Sequence, residues 1–400
     1  MMNMQAVVSE ALVHLDSWIT NNGWSGYDPY DIKGQDWFVR LFGYQTWFHR
    51  KVRGVLSLVE QNLPPYALRR ILRIEKEINA KGMGLLASAY LSLFKTTGQQ
   101  QYLVKAQDIL TWLASNSNQD NPGISWGYPF HWQSRVFIPR GTPSSVVTGV
   151  VGDAWIDHYE LTKSQDSLDI IIRVSDFFLN GLNRYVKTDD QICFSYTPLD
   201  KYKVHNANLF TAAFLARLWV TTGEDRYKDL SLKAVRYTLS EQNDDGSFFY
   251  WGTEPPTLID HYHTGFVLRH LDTIQRATGS DFINRPLKKG YNFYIDKLFS
   301  VDGIPKLTPD SLYPINVHSC SEAILCVSQL GPKLGGFDKL AAIVNFTIEN
   351  MRTDEGYYIA EIRRRWWGKQ KVRVPYMRWA QAWIFYALAR LQETLKSMNK

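Results

Sequence analysis

The chain has 400 residues, of which 45% are hydrophobic and 21% are charged, a balance typical of a globular protein with a large core. The formal net charge is +6, but the Lys and Arg residues are scattered apart from one cluster at residues 363–373, so binding to nucleic acid is not favoured. The three Cys residues have no metal-ligand spacing and predict no disulfide framework.

Residues Met4–Asn22 predict an amphipathic helix, since Ala11, Leu15 and Trp18 recur at the spacing of one helix face. The segment lacks the basic region and continuous apolar core of a secretory signal. No apolar run reaches the roughly 20 residues that cross a membrane. We therefore expect a cytoplasmic protein without a membrane span.

From Lys81 onward, helices rich in small residues alternate with more polar helices. The first pair is GMGLLASAYLSLFKTTG followed by QYLVKAQDILTWLASNSN, and four similar pairs follow. A final small-residue helix, PYMRWAQAWIFYALARLQETL, has no partner after it, while Met4–Asn22 has none before it. Crowded inner helices favour small residues, and outer helices need a polar face.

Pairing of the two unpartnered terminal helices would close six inner and six outer helices into a ring. The sequence therefore predicts an all-α fold, an (α/α)6 toroid or six-hairpin barrel, formed as a single domain by residues 1–400. An open superhelical solenoid built from the same hairpins is the alternative. We favour closure because one unpaired helix lies at each end of the chain.

The connections from outer to inner helices are long, whereas the reverse connections, such as TTGQQ and TTGED, are short. Long loops in compact domains are usually functional, and in a toroid these six lie at one end. The long connections cover residues 23–81, 118–143, 185–207, 243–262, 300–317 and 353–375. The sequence therefore predicts a ligand site at the mouth that they form.

Aromatic and basic residues in and just beyond these connections suit an anionic oligo- or polysaccharide. Aromatic rings stack on sugars, and the planar fork of Arg fits a carboxylate. The expected substrate-binding residues are Asp36, Trp37, Trp126, Trp132, Arg135, Arg140, Lys203, His205, Trp251, Arg365, Tyr376 and Arg378. For each residue alone, the alternative is a core aromatic ring or a solvated charge.

Titratable residues are densest in the tetrapeptide DHYH at 260–263, where a loop enters an inner helix. Asp260, Tyr262 and His263 are therefore candidates for acid–base catalysis, and His318 at the start of the next inner helix could face them. The alternative is a purely structural role, because Asp is a preferred helix cap.

His261, His263 and His318 could together hold a metal ion, but their spacing is not diagnostic. No phosphate-binding loop, HExxH pair or dinucleotide-binding fingerprint occurs. We therefore expect neither a metal nor another cofactor.

The segments YDPYDIKGQDWFVRL, IDHYHTGFVL, LYPINVHS and PYMRWAQAW stand in the same order as the helical repeats. With these segments the chain resembles, over essentially its whole length, an uncharacterised family of toroids from bacterial and archaeal surface-polysaccharide biosynthesis clusters. That resemblance implies a fold and a pathway but no established reaction.

Residues 81–210 also resemble the helical domain of D-glucuronyl C5-epimerases, through GMGLLASAYLSLFKTTG and the helix that opens with TPSS. The resemblance implies that loop tyrosines move the proton at C5 of a uronic acid. Phe137 and Ile138 stand where that family has a tyrosine before TPSS. Tyr196 matches a later catalytic tyrosine, and the last one matches either Tyr202 or Tyr262. The β-rich part of those epimerases is absent.

Three functions follow as hypotheses. The first is an epimerase or lyase for a uronic-acid-containing glycan, in which cations stabilise the enolate-like intermediate and lower the pKa of Tyr262. The second is a glycoside hydrolase, which needs two carboxylates around the scissile bond. Its candidate carboxylates are Asp36, Asp260, Asp310 and Glu361. The third is a non-catalytic glycan-binding subunit of a synthesis complex.

Overall fold

A computed structural model describes residues 2–43, 46–49, 51–52, 54–55, 63–120, 122–133, 136–251 and 257–398. The inner helices, numbered one to six in chain order, are Ala80–Thr97, Ser145–Thr162, His205–Thr222, His261–Thr278, Val317–Leu334 and Trp383–Met398. The outer helices are Met2–Asn22, Gln100–Ser115, Gln165–Asp176, Asp225–Ser240, Asn284–Lys297 and Lys339–Met351. Two short helices, Asp36–Phe42 and Pro65–Ile71, lie in the first long connection.

The inner helices form a closed ring. Each packs on the next, and the sixth packs back on the first, where the Ser92 hydroxyl donates to the Ala389 carbonyl oxygen at 3.2 Å. The predicted (α/α)6 toroid is confirmed, and the open solenoid is wrong. The outer helix Met2–Asn22 packs on the sixth inner helix, so the terminal helices meet as an outer and an inner element.

Small residues are required where inner helices cross closely. A Cβ atom added to Gly84 would lie 3.1 Å from the Val150 carbonyl oxygen. One added to Gly152 would lie 2.6 Å from the ring of Phe214. Real Cβ contacts are rarely this short, so larger side chains at these positions would push the ring apart.

The inner helices begin at the mouth and end at the opposite side. Side chains of Asn79, Ser144 and Asp260 cap the first, second and fourth inner helices by accepting backbone N–H groups. Gly98 and Gly223 end two of them with φ near +75°, which permits the short return turns. The N-terminal ends of the inner helices therefore surround the mouth.

The long connections contain short antiparallel strands that the sequence did not predict. One hairpin joins Trp132–Gln133 to Phe137–Ile138, and another joins Arg184–Thr188 to Gln191–Phe194. A three-stranded sheet is formed by Ile315–Asn316, Glu361–Arg365 and Gly368–Val372. These strands stiffen the rim of the mouth.

Two buried ion pairs hold the first long connection: one lies within it, and the other joins it to the ring. The Arg69 guanidinium is fully buried and donates to both carboxylate oxygens of Asp31, at 2.7 and 2.8 Å. Arg378, just before the sixth inner helix, donates to Asp28 at 2.6 and 2.8 Å. Among the helices that the structure describes, none has the length and apolar character needed to traverse a bilayer.

Candidate active site

A cavity of about 670 Å³ opens at the mouth. Residues from the long connections and from the starts of the inner helices line it. Its polar and indole-bearing lining residues are Tyr30, Lys81, Tyr128, Trp132, Gln133, Tyr196, Asn206, Tyr250, Trp251, Tyr262, His263, His318, Arg378 and Trp379. The predicted catalytic residues Tyr196, Tyr262, His263 and His318 are all in this set.

Asp260 orients His263 at the start of the fourth inner helix. One carboxylate oxygen of Asp260 caps the helix by accepting the His263 backbone N–H at 2.9 Å. The other lies 2.6 Å from Nδ1 of the His263 ring. Because a carboxylate only accepts, Nδ1 carries a proton and Nε2 is left for the cavity. Asp260 therefore both caps the helix and positions His263.

His318 is held as a neutral imidazole at the start of the fifth inner helix. Its ring stacks on Trp379, with centroids 4.5 Å apart, and its Nδ1–H donates to the Trp379 carbonyl oxygen at 3.2 Å. Burial, together with the nearby cations Lys81 and Arg378, holds the pKa of His318 well below its usual value. Its Nε2 therefore offers an unprotonated lone pair to the cavity.

Tyr262 lies between the two histidines. Its ring centroid is 4.4 Å from that of His263 and 4.7 Å from that of His318. Burial, reinforced by Asp260, raises the pKa of Tyr262 well above 10, although Arg378 opposes this shift. The expectation that cations bring this pKa below its usual value is therefore wrong, because burial outweighs Arg378, and the Tyr262 phenol stays neutral and able to donate a hydrogen bond.

Lys81 is a cavity residue that the sequence did not single out. It is the second residue of the first inner helix and only 4% exposed. Its amine lies 5.3–5.8 Å from the ring centroids of Phe210, Phe266 and Trp383. Burial and then the charge of Arg378 lower its pKa well below 10.5. A carboxylate placed beside it would favour the charged form.

Arg378 reaches the cavity, but its guanidinium is already paired with Asp28. It lies 5.1 Å from the Trp379 ring centroid and 5.3 Å from that of Tyr128. Burial opposes its charge, but Asp28 raises its pKa above the ordinary value, so it remains a cation. It contributes a fixed positive charge rather than a free fork for a ligand.

Aromatic residues form one wall of the cavity. The Tyr128 and Tyr196 hydroxyls lie 3.3 Å apart, and Trp132 packs on Tyr196 with centroids 5.1 Å apart. Trp251 packs on Tyr250 with centroids 4.9 Å apart. The predicted residues Trp132, Tyr196 and Trp251 are therefore brought together as a surface on which sugar rings could stack.

Three predicted binding residues lie inside the protein wall instead. Trp126 is buried, and its indole N–H donates to the Leu113 carbonyl oxygen at 2.8 Å. His205 is buried, and burial lowers its pKa to about 4. Tyr376 packs under the Arg69 guanidinium, 5.1 Å away. Their side chains turn toward the core, so the expectation that they face the ligand is corrected.

Five more predicted residues lie on or near the outer surface, away from the cavity lining. Arg140 pairs with Glu77 at 3.0 Å, Lys203 lies 4.7 Å from the Tyr185 ring, and Arg365 donates to Gln370 at 2.9 Å. Polar partners at the rim account for these three positions. Asp36, which pairs with His131, and Trp37 belong to the short helix Asp36–Phe42. Arg135 lies outside the described residues.

Carboxylates are missing from the described lining of the cavity. Of the hydrolase candidates, Asp260 is bonded to His263, and Glu361 pairs with Arg363. Asp36 and Asp310 lie outside that lining. Within the ranges that the structure describes, no three His, Cys, Asp or Glu residues are grouped to hold a metal ion. His261 in particular is buried against Tyr294 rather than facing His263.

No protein-family model and no curated protein matches the chain. Solved structures do match. Cellobiose 2-epimerase from Bacillus thermoamylovorans has a TM-score of 0.64 at 12% identity, covering 80% of this chain and 88% of that one. D-mannose isomerase has a TM-score of 0.60 at 11% identity, covering 80% of this chain and 87% of that one. A GH76 α-mannanase from Bacteroides thetaiotaomicron has a TM-score of 0.58 at 15% identity, covering 80% of this chain and 88% of that one. The chain therefore shares its (α/α)6 toroid fold with sugar epimerases, isomerases and mannanases.

Proposed function

We propose that the protein is a carbohydrate epimerase that removes and returns the proton beside the carboxylate of a uronic acid. The observation that carries this proposal is the pair of cavity histidines around Tyr262, in a cavity without a lining carboxylate among the described residues. Epimerisation needs a base and an acid at one carbon. His318 has a carbonyl group as its Nδ1 partner and His263 has a carboxylate, so the two are suited to these different roles.

His318 would take the proton, because its Nε2 is unprotonated and a carbonyl group holds its Nδ1–H. His263 would return a proton from the other side of the sugar, because Asp260 supports the charge on its ring. Tyr262 would donate a hydrogen bond to the oxygen on which negative charge develops. No step of this reaction requires a redox change, because the sugar carbon loses a proton and then regains one.

Lys81 and Arg378 supply the positive field for the sugar carboxylate. Arg378 keeps its charge through Asp28, and a carboxylate bound beside Lys81 would favour the charged form of its amine. Two cations near the carboxylate would stabilise the enolate-like intermediate formed after proton removal. This arrangement supports an anionic substrate, and the fold neighbours support a sugar.

A lyase would also begin by removing the proton beside the sugar carboxylate. It would then expel the group on the next carbon instead of returning the proton. A glycoside hydrolase is less well supported, because neither of its two carboxylates is available in the described lining. A non-catalytic glycan-binding subunit would not need the Asp260–His263 arrangement. The resemblance to polysaccharide-cluster toroids supports a place in surface-polysaccharide synthesis.

Incubation of the protein with uronic-acid oligosaccharides in heavy water distinguishes these reactions. Deuterium at C5 with the chain length unchanged is the expected result. A new double bond would indicate a lyase, and new reducing ends without deuterium at C5 would indicate a hydrolase. Binding without any of these changes would overturn the proposal in favour of a binding subunit.

Substitution of Lys81 by Met tests the choice of an anionic sugar. We expect the affinity for glucuronate-containing oligosaccharides to fall on the order of tenfold or more, as for the loss of one charged hydrogen-bond donor, while a neutral counterpart is unaffected. Lys203→Met, outside the cavity lining, is the matched control. Calorimetric titration gives both affinities, and equal losses for the charged and the neutral ligand would contradict carboxylate recognition.

A further inference from the structure

The sixth long connection carries a hairpin whose tip has no role in the cavity. Its strands are Glu361–Arg365 and Gly368–Val372, and Arg365 lies opposite Gly368, so Trp366 and Trp367 form the two-residue tip. Trp366 is 92% exposed and Trp367 is 59% exposed, and their ring centroids are 5.2 Å apart. Two adjacent exposed indoles at the end of a projection indicate an interaction site.

The same hairpin is strongly basic. Residues 361–373 contain six Lys or Arg residues and one acidic residue, Glu361, which pairs with Arg363. Arg364 and Lys369 are both exposed and face each other across the two strands. Like charges directly opposite in a sheet destabilise it, so this pair favours an anionic partner that neutralises both. Lys371 and Arg373 add further exposed charge.

We propose that this hairpin docks the protein on an anionic membrane surface, with Trp366 and Trp367 among the lipid headgroups. Tryptophan prefers the membrane interface because its ring is apolar while its N–H remains hydrated. Lys and Arg behind the tip would lie at the level of the lipid phosphates, and an anionic leaflet attracts them. Saccharides are usually held in concave sites, whereas this tip is a convex projection that fits a surface.

The hairpin is tied to the cavity wall, so docking would also orient the active site. Its first strand pairs with Ile315–Asn316, which leads directly into the fifth inner helix. The Asn316 side chain also accepts the indole N–H of the cavity residue Trp379 at 3.2 Å. Because the hairpin leaves the ring at the mouth, membrane docking would bring the mouth toward the lipid surface.

Sedimentation of the full-length protein with vesicles tests this proposal. We expect binding to vesicles containing phosphatidylglycerol and little binding to pure phosphatidylcholine. Trp366→Ala/Trp367→Ala should reduce the partition coefficient at least about tenfold, and Arg364→Ala/Lys369→Ala/Lys371→Ala about a hundredfold. All five side chains are solvent-exposed, so the variants should keep the melting temperature of the parent protein.

Matched controls remove similar groups elsewhere. Arg285→Ala/Lys288→Ala/Lys289→Ala removes three exposed cations from an outer helix, and Val301→Ala removes an exposed apolar side chain. Both controls should bind vesicles like the parent protein. Absence of vesicle binding by the parent, or equal binding by parent and hairpin variants, would overturn the proposal. If the protein bound hyaluronan through the hairpin tip and did not bind vesicles, the partner of the hairpin would be an anionic glycan and not a membrane.

Discussion

At the scale of single residues, the proposed chemistry depends on how differently two histidines are held. His263 donates its Nδ1–H to a carboxylate, whereas His318 donates its Nδ1–H to a carbonyl group and is surrounded by aromatic rings and cations. The Asp260 carboxylate fixes the tautomer and orientation of His263, whereas burial keeps the His318 ring neutral. Two histidines held so differently are suited to different parts of a proton transfer.

Tyr262→Phe removes one hydroxyl from the cavity and nothing from the core. Since the pKa of Tyr262 is raised, its phenol stays protonated over the whole neutral range and can donate a hydrogen bond. We expect turnover to fall on the order of a hundredfold, as for the loss of one acid–base group, with the melting temperature and glycan affinity nearly unchanged. Parallel measurement of turnover, binding and melting temperature checks this, and normal turnover would remove Tyr262 from the mechanism.

The sequence predicts that Tyr262, His263 and His318 lie at the cavity, because each stands where a long loop enters an inner helix. The helical repeat makes that position recognisable. Lys81 was missed because lysine is normally exposed, and its burial depends on Phe210 and other rings from different helices. The prediction that Trp126 and other loop residues face the ligand was wrong, because sequence position does not determine whether a loop side chain faces the cavity or the core.

At the scale of structural elements, the first long connection is anchored by buried charge. Asp28→Ala would leave the Arg378 guanidinium, which is only 3% exposed, without its partner. Breaking one side of a buried ion pair typically costs about 3–5 kcal/mol of folding free energy. Denaturant unfolding of Asp28→Ala should show a loss of this size.

Glu77→Ala is the matched control, because it breaks a partly exposed pair with Arg140. Surface pairs contribute about 0–1 kcal/mol, so its unfolding free energy should stay within that range of the parent protein. A loss of under 1 kcal/mol for Asp28→Ala would show that the buried pair does not anchor the connection.

The alternation of small-residue and polar helices predicts the helical hairpins, because close helix crossings require small residues such as Gly84 and Gly152. One unpaired helix at each end of the chain then predicts that the hairpins close into a ring. The strands in the connections could not be predicted in the same way. The hairpin with Trp366 at its tip has the sequence EIRRRWWGKQKV, which lacks a continuous apolar and polar alternation. Its pairing to Ile315–Asn316 comes from the ring, which brings two distant connections together.

At the scale of the whole molecule, buried histidines make stability depend on pH. Burial lowers the pKa of His205 to about 4 and that of His261 to about 3. The unfolded chain takes up protons near pH 6.5, whereas the folded chain takes them up only at lower pH. The unfolded state therefore binds more protons in this interval, so folding stability should fall as the pH is lowered from about 6.5 toward 4.

Urea unfolding at pH 7 and pH 5 measures this loss. His205→Phe removes one titrating group while filling a similar space between Tyr237 and Phe248. We expect the variant to lose less stability than the parent protein between the two pH values. Equal losses would show that His205 contributes nothing to the pH dependence, and a rise in parental stability at pH 5 would contradict the sign of the effect.

In the proposed reaction, the cavity histidines transfer the proton at C5 of a uronic acid. The most direct test is the rate of C5 deuterium incorporation in heavy water, compared among the parent protein, His318→Asn and the wall control His205→Asn. We predict a loss on the order of a hundredfold or more for His318→Asn, with oligosaccharide binding retained and near-parental rates for His205→Asn. Parental exchange by His318→Asn, or no exchange by the parent protein on any uronic-acid oligosaccharide that it binds, would show that these histidines do not transfer the C5 proton.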